Sequence, residues 1–80
     1  MSENKLELYV MTGCPYCRKV QNFMDERGIS VPIHNITESA EDNDYLIENG
    51  GKRQVPCLFI DGKALYESDD IIAYLDRAFA

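Results

Sequence analysis

An α/β domain in the order β-α-β-α-β-β-α is the fold class this sequence predicts, and three observations carry it. Short apolar runs alternate with stretches whose apolar residues recur at helical spacing. Turn signals (Thr12-Gly13, Arg27-Gly28, Asn49-Gly50-Gly51, Asp61-Gly62) fall between them. The length of 80 residues, with 45% apolar and 28% charged residues, suits one small globular domain rather than a disordered tail. Residues 1–80 are therefore expected to form a single domain, without repeat, linker or low-complexity stretch.

In the first strand Leu6, Leu8 and Val10 alternate with Glu7, Tyr9 and Met11, which predicts one strongly apolar face. Pro15 suits the first position of a helix, where its missing N–H is an orphan anyway. Val20, Phe23 and Met24 recur at helical spacing, and Arg27-Gly28 supplies a cationic last turn and a stop. Residues 30–36 read as a second strand with Val31, Ile33 and Asn35 on one side. Pro32 makes it an edge strand, because proline cannot donate to a ladder. Thr37 or Ser39 can cap a second helix with an acidic first turn and an apolar side of Tyr45, Leu46 and Ile47. The run Cys57 to Ile60 is wholly apolar and reads as a central strand. Asp61-Gly62 turns it into a fourth strand, Ala64 to Tyr66. Ser68 is expected to cap a last helix whose Ile71, Ile72, Tyr74 and Leu75 face inward.

Eight basic against 14 acidic residues give a net charge of −6, which argues against nucleic acid and anionic membrane surfaces as partners. No window approaches the roughly 18 apolar residues of a spanning helix. Residues 1–5 are polar, with no secretory signal, so a cytoplasmic location is expected. Three cysteines, an odd number, do not suit the disulfide framework of a secreted miniprotein. In such a chain, cysteines this close in sequence suggest redox chemistry or a metal.

Cys14-Pro15-Tyr16-Cys17 lies where the first strand meets the first helix. A spacing of three puts both sulfurs on one turn. Cys14 takes the capping position, where the N–H groups of Tyr16 and Cys17 and the helix dipole favour a thiolate. Cys17 lacks those partners, which makes it the resolving thiol. Two structural cysteines, or half of a zinc site, are the competing readings. Zinc needs four ligands, and only Cys57 and His34 remain, neither in a second paired motif.

Thr12-Gly13-Cys14-Pro15-Tyr16-Cys17 on a strand–helix junction, then Arg53-Gln54-Val55-Pro56, Asp61-Gly62 and Ser68-Asp69-Asp70, resembles a glutaredoxin over nearly the whole chain. The resemblance implies a thioredoxin-like fold, a four-stranded mixed sheet flanked by three helices, with a cis proline at Pro56. It implies a glutathione-dependent thiol–disulfide oxidoreductase that reduces protein disulfides and glutathione-mixed disulfides, with Cys14 and Cys17 catalytic. Glutathione is then co-substrate, with no covalently bound cofactor and no metal, and the protein is expected to act as a monomer on disulfide-containing or glutathionylated proteins. The Val55 backbone would take the cysteinyl part as an added strand. The helix start at Ser68 and Asp69 would take the γ-glutamyl carboxylate, and Arg53 and Gln54 the glycyl one. Tyr16 would wall the groove. For Arg53 a solvated charge before a strand is the plainer alternative.

Two positions depart from the family pattern. Met11 stands where a lysine is frequent, leaving Arg18 and Lys52 as candidates to replace that cation. Tyr66-Glu67 stands where two glycines are usual, and Glu67-Ser68 resembles the pair with which glutathione transferases hold the γ-glutamyl group. Cys57 reads as a small buried strand residue, with a third redox thiol as the sharper alternative; His34 reads as an exposed edge-strand residue and Tyr74 as core.

Other functions compete with this one. A [2Fe–2S] carrier, with Cys14 of two chains and two glutathiones as ligands, is disfavoured by Pro15 and Cys17. A redoxin reduced by thioredoxin reductase keeps the same chemistry with another electron source. A glutathione-binding module of a transferase-like chain usually lacks the paired cysteines, and the end of the sequence at Ala80 leaves no helical partner domain.

Overall fold

The structure, a computed structural model, describes residues 5–79, so the expectation about a polar start at residues 1–4 lies outside the described residues. The elements are β1 (Leu6–Val10), α1 (Pro15–Arg27), β2 (Ile33–Asn35), α2 (Ala40–Gly50), β3 (Cys57–Ile60), β4 (Lys63–Tyr66) and α3 (Ser68–Ala78). The sheet order is β2-β1-β3-β4. β1 runs parallel to β2 and antiparallel to β3, which is antiparallel to β4. This is the thioredoxin-like arrangement that the resemblance implies.

Strand alternation sends successive side chains to opposite faces. Leu8, Val10 and Leu58 pack with Cys17, Val20 and Met24 of α1 and Ile71 and Leu75 of α3. On the other face Tyr9, Cys57 and Phe59 pack with Ile36 and with Leu46 of α2. β1 therefore buries both faces rather than one, with Tyr9 only 3% exposed because α2 covers its side. Val55 packs against both clusters, at the end of the sheet where they meet.

Other boundaries depart from the sequence reading for local reasons. β2 is only three residues long, and Pro32 precedes it, its carbonyl accepting from the Leu8 N–H at 2.9 Å. Val31, Ile33 and Asn35 share the α1 side of the sheet as expected: Val31 packs in the cluster of Leu8 and Val10, which are the register partners of Ile33 and Asn35, although Ile33 stays 46% exposed at the sheet edge. Ser39 is the cap of α2, accepting from the Asp42 N–H at 3.2 Å. Tyr45 and Ile47 are half-exposed, and only Leu46 of that trio is buried. Consecutive helical residues point about 100° apart, so three in a row cannot all face inward. Ser68 is the first residue of α3 rather than its cap. The cap is Glu67, at φ 73° and with no side-chain capping bond. The β3–β4 turn has Asp61 at φ 52° and Gly62 at φ 87°, the two positive angles that a type I′ hairpin needs.

His34 is a further correction, because it is half-buried rather than exposed. It is the register partner of Tyr9 and stacks on that ring at 4.6 Å. Its Nδ1 lies 3.1 Å from Asp42 Oδ1 and its Nε2 lies 2.9 Å from Glu7 Oε1. A neutral imidazole has one N–H, so a proton donated to Asp42 leaves none for Glu7. β1, β2 and α2 meet at this side chain.

Candidate active site

The turn from β1 into α1 delivers the paired cysteines. Cys14 N donates to Met11 O at 3.4 Å, closing a turn whose third residue, Gly13, has φ 79°. That angle is one a side-chain-bearing residue rarely adopts, which accounts for glycine there. Thr12 is pinned from outside the turn. Its N–H donates to Thr37 Oγ1 (3.1 Å), and its hydroxyl accepts from Asn35 Nδ2 (3.0 Å). Thr37, one of the two expected caps, thus holds the cysteine turn to the end of β2.

Cys14 is the N-cap of α1, and Pro15 follows as its first residue. Cys14 Sγ accepts from the Cys17 N–H at 3.3 Å. That bond turns the sulfur toward the free N–H groups of the first helical turn. Cys17 differs in every respect. It is 1% exposed, and burial pushes its thiol up to about 12, with the neighbouring Cys14 sulfur acting in the same direction. All three cysteines are free thiols. One sulfur is reachable; its partner a turn later is held protonated.

Beside this turn lies a cleft of about 450 Å³ lined by Tyr16, Lys19, Gln54, Val55, Pro56, Glu67, Ser68 and Asp69. Every expected ligand residue except Arg53 is in that lining. The Val55–Pro56 bond is cis. Val55 takes part in none of the loop backbone hydrogen bonds among the described residues, and it lines the cleft. Glu67 and Ser68 bring the start of α3 to the opposite wall, and Tyr16 stands 64% exposed at the rim. Lys19 was missed in the sequence. Its position three residues after Tyr16, on the same face of α1, is the signal that could have found it.

Arg53 lies elsewhere. Its Nε donates to Asn43 Oδ1 at 2.9 Å, and its Nη2 approaches Met11 Sδ at 3.8 Å. The guanidinium therefore rests on the residue that replaces the frequent lysine. Met11 in turn lines, with Cys14 and Arg18, a polar hollow on the other side of the catalytic turn. Lys52 sits over the Tyr66 ring at 4.6 Å, away from both hollows. Cys57 is fully buried on the α2 face, pushed up to about 11 by burial and adjoining the Tyr66 hydroxyl, which donates to Gly50 O.

A partly exposed thiol capping a helix, a buried thiol one turn on and a cis proline in the adjoining cleft define a redox domain of the thioredoxin-like class. Solved thioredoxin-like and glutaredoxin structures share this fold. Glutaredoxin 3 of Escherichia coli is 29% identical over 68 residues, spanning 85% of this chain and 82% of its own length. Glutaredoxin 1 of Rickettsia prowazekii is 30% identical over 67 residues, 80% of this chain and 70% of its own. The family model described as "Glutathione S-transferase, N-terminal domain" matches residues 8–80. The chain belongs to the glutaredoxins and carries the glutathione S-transferase N-terminal domain. In line with the second description, glutathione transferase Omega 3C from Trametes versicolor superposes with a TM-score of 0.80 at 26% identity. That match covers 98% of this chain and 35% of the transferase. The protein is a glutaredoxin-like redox protein, and no helix among the described residues is long and apolar enough to cross a membrane.

Proposed function

We propose that the protein is a cytoplasmic, monomeric, glutathione-dependent thiol–disulfide oxidoreductase acting on glutathionylated and disulfide-containing proteins. The observation that carries this reading is the convergence of Tyr16, Gln54, Val55, Pro56, Glu67, Ser68 and Asp69 on one cleft beside the cysteine turn. These residues come from three separated stretches of sequence. Their grouping suits a short zwitterionic peptide laid along Val55, with its γ-glutamyl end at the start of α3.

In the first step the Cys14 thiolate attacks the glutathione sulfur of a mixed disulfide. The Cys14–glutathione bond forms, and the protein thiolate leaves. A second glutathione thiolate then attacks the glutathione sulfur, releasing glutathione disulfide and restoring the Cys14 thiolate. For a protein disulfide, Cys14 first forms a mixed disulfide with the substrate. Cys17, once it has given up its proton, attacks the Cys14 sulfur, the substrate thiolate leaves, and two glutathione thiols reduce the Cys14–Cys17 disulfide that forms. Burial makes that proton hard to remove, pushing the thiol up from about 9 to about 12, so Cys17 ionises less readily than a free thiol.

The test is an assay of electron source. Reduction of a glutathione-mixed disulfide should proceed with NADPH, glutathione and glutathione reductase, and not with NADPH and thioredoxin reductase. Turnover with thioredoxin reductase alone would assign the other electron donor, and turnover with neither would remove the activity altogether.

A further inference from the structure

We infer that Lys19 is a specificity-determining residue of the cleft, one that imposes the requirement for an α-carboxylate on the γ-glutamyl end of the ligand. This rests on the glutathione reading above and goes beyond it by assigning a role to a residue outside the expected site. Lys19 reaches from the second turn of α1 to the first turn of α3, where its Nζ pairs with Asp69 Oδ1 at 2.5 Å. Both ends of that pair line the cleft. Lys19 also lines the hollow that contains Cys14, and so stands between the reacting sulfur and the ligand-binding wall.

The charges of the cleft show why this matters. Its acidic side chains are Glu67 and Asp69, and Lys19 is its single cation. Without Lys19 the two carboxylates would draw in any amine and repel a carboxylate. With Lys19 on Asp69, that pair is neutral and Glu67 remains for the ligand's ammonium. A lysine ammonium has three donors, and one bond to Asp69 leaves two for an incoming carboxylate. The first N–H groups of α3 add partial positive charge at the same place. The cleft is thereby matched to a zwitterion carrying ammonium and carboxylate on one carbon, which is the α end of a γ-glutamyl group. Both side chains are well exposed, 52% for Lys19 and 82% for Asp69. Their pairing energy is small, so the effect belongs in ligand choice and not in stability.

The experiment compares wild type with Lys19→Met and Lys19→Arg on three mixed disulfides of one partner thiol. They carry glutathione, its analogue without the α-carboxylate (4-aminobutyryl-cysteinyl-glycine), and its analogue without the α-amino group (glutaryl-cysteinyl-glycine). Lys19→Met should raise KM for the glutathione and glutaryl disulfides about two- to fivefold, the range of a well-exposed charge contact. KM for the aminobutyryl disulfide should hold or fall, collapsing the preference for the α-carboxylate, and Lys19→Arg should restore most of it. Equal KM changes for all three disulfides, or none, would overturn the inference. So would a common shift in kcat alone, which would mean that Lys19 acts through the reactivity of Cys14. A wild type that does not distinguish glutathione from either analogue, or from a cysteamine disulfide, would remove the glutathione reading together with this one. Intact wild-type preference with an indifferent Lys19→Met would remove this inference alone.

Discussion

The sheet buries one cysteine on each face, and the two faces treat them alike in one respect and differently in another. Cys17 under α1 and Cys57 beside α2 are both almost inaccessible, and burial raises both thiols. The neighbour of Cys17 is another thiol, partly exposed at a helix end; the neighbour of Cys57 is the Tyr66 hydroxyl. Burial by itself makes a cysteine inert. What turns the α1 face into a redox site is a second sulfur placed at the helix start, together with a cleft that opens next to it. The α2 face has the same ingredient, a protonated buried thiol, without a sulfur to exchange with, and it is filled instead by stacked rings of Tyr9, His34 and Tyr45.

The sharpest way to break this comparison is to remove the exposed sulfur. Cys14→Ser should drop reduction of a glutathione-mixed disulfide to the uncatalysed level, whereas Cys17→Ser should keep about half of it, because a second glutathione resolves the intermediate. Equal loss in the two variants would show that only the dithiol route operates.

A second, intermediate effect concerns what the two buried thiols share. An unfolded thiol ionises near 9, whereas Cys57 holds its proton to about 11 and Cys17 to about 12. Between those values the unfolded chain binds fewer protons than the folded one, so stability falls as pH rises. The contribution is fully present below about pH 9 and is lost by the folded values. Tyr9, pushed up to about 12 chiefly by burial and then by Glu7, adds to the decline at its upper end. Denaturant melts of the reduced protein from pH 8 to 11 should show this slope, and Cys17→Ala and Cys57→Ala should each flatten it. Parallel curves for all three proteins would contradict the burial argument on both faces.

The smallest effect tests the site's missing cation. Met11 lines the same hollow as Cys14 and carries the Arg53 guanidinium. Met11→Lys should speed alkylation of Cys14 about twofold at low salt, with the gain shrinking as ionic strength rises. An identical alkylation rate at both salt concentrations would mean that Arg53 already supplies whatever a cation can do there.

Element order and type were legible because punctuation and period agree: Gly13, Gly28, Gly51 and Gly62 fall just outside strands and helices. The cysteine pair was legible for the same reason, since Cys14 and Pro15 are read together as cap and first helical residue. What the sequence hid depends on a neighbour distant along the chain. His34 reads as an edge residue until Glu7 and Asp42 close on it from β1 and α2. Tyr9 reads as the wetter side of β1 until α2 covers it. Lys19 does not stand out in the sequence because its partner, Asp69, is brought to it only by α3. Arg53 shows the converse. It precedes the cleft loop in sequence, yet Asn43 draws it over the other side of the turn.

The pairing of β1 with β3 has a consequence for how this activity arises in a growing chain. Both cysteines lie in the first β-α-β half, and Gln54 to Asp69, most of the cleft, lies in the second. The halves are joined by an antiparallel ladder that sets Leu6 against Ile60, a closure across more than half of the chain. Loop-closure entropy makes such distant pairing late relative to local helices and hairpins. The N-terminal half therefore carries both sulfurs of the pair, while the wall facing them is built only when the second half pairs with it. The same ladder that closes the core thus also completes the cleft, so fold and site are finished by one long-range contact.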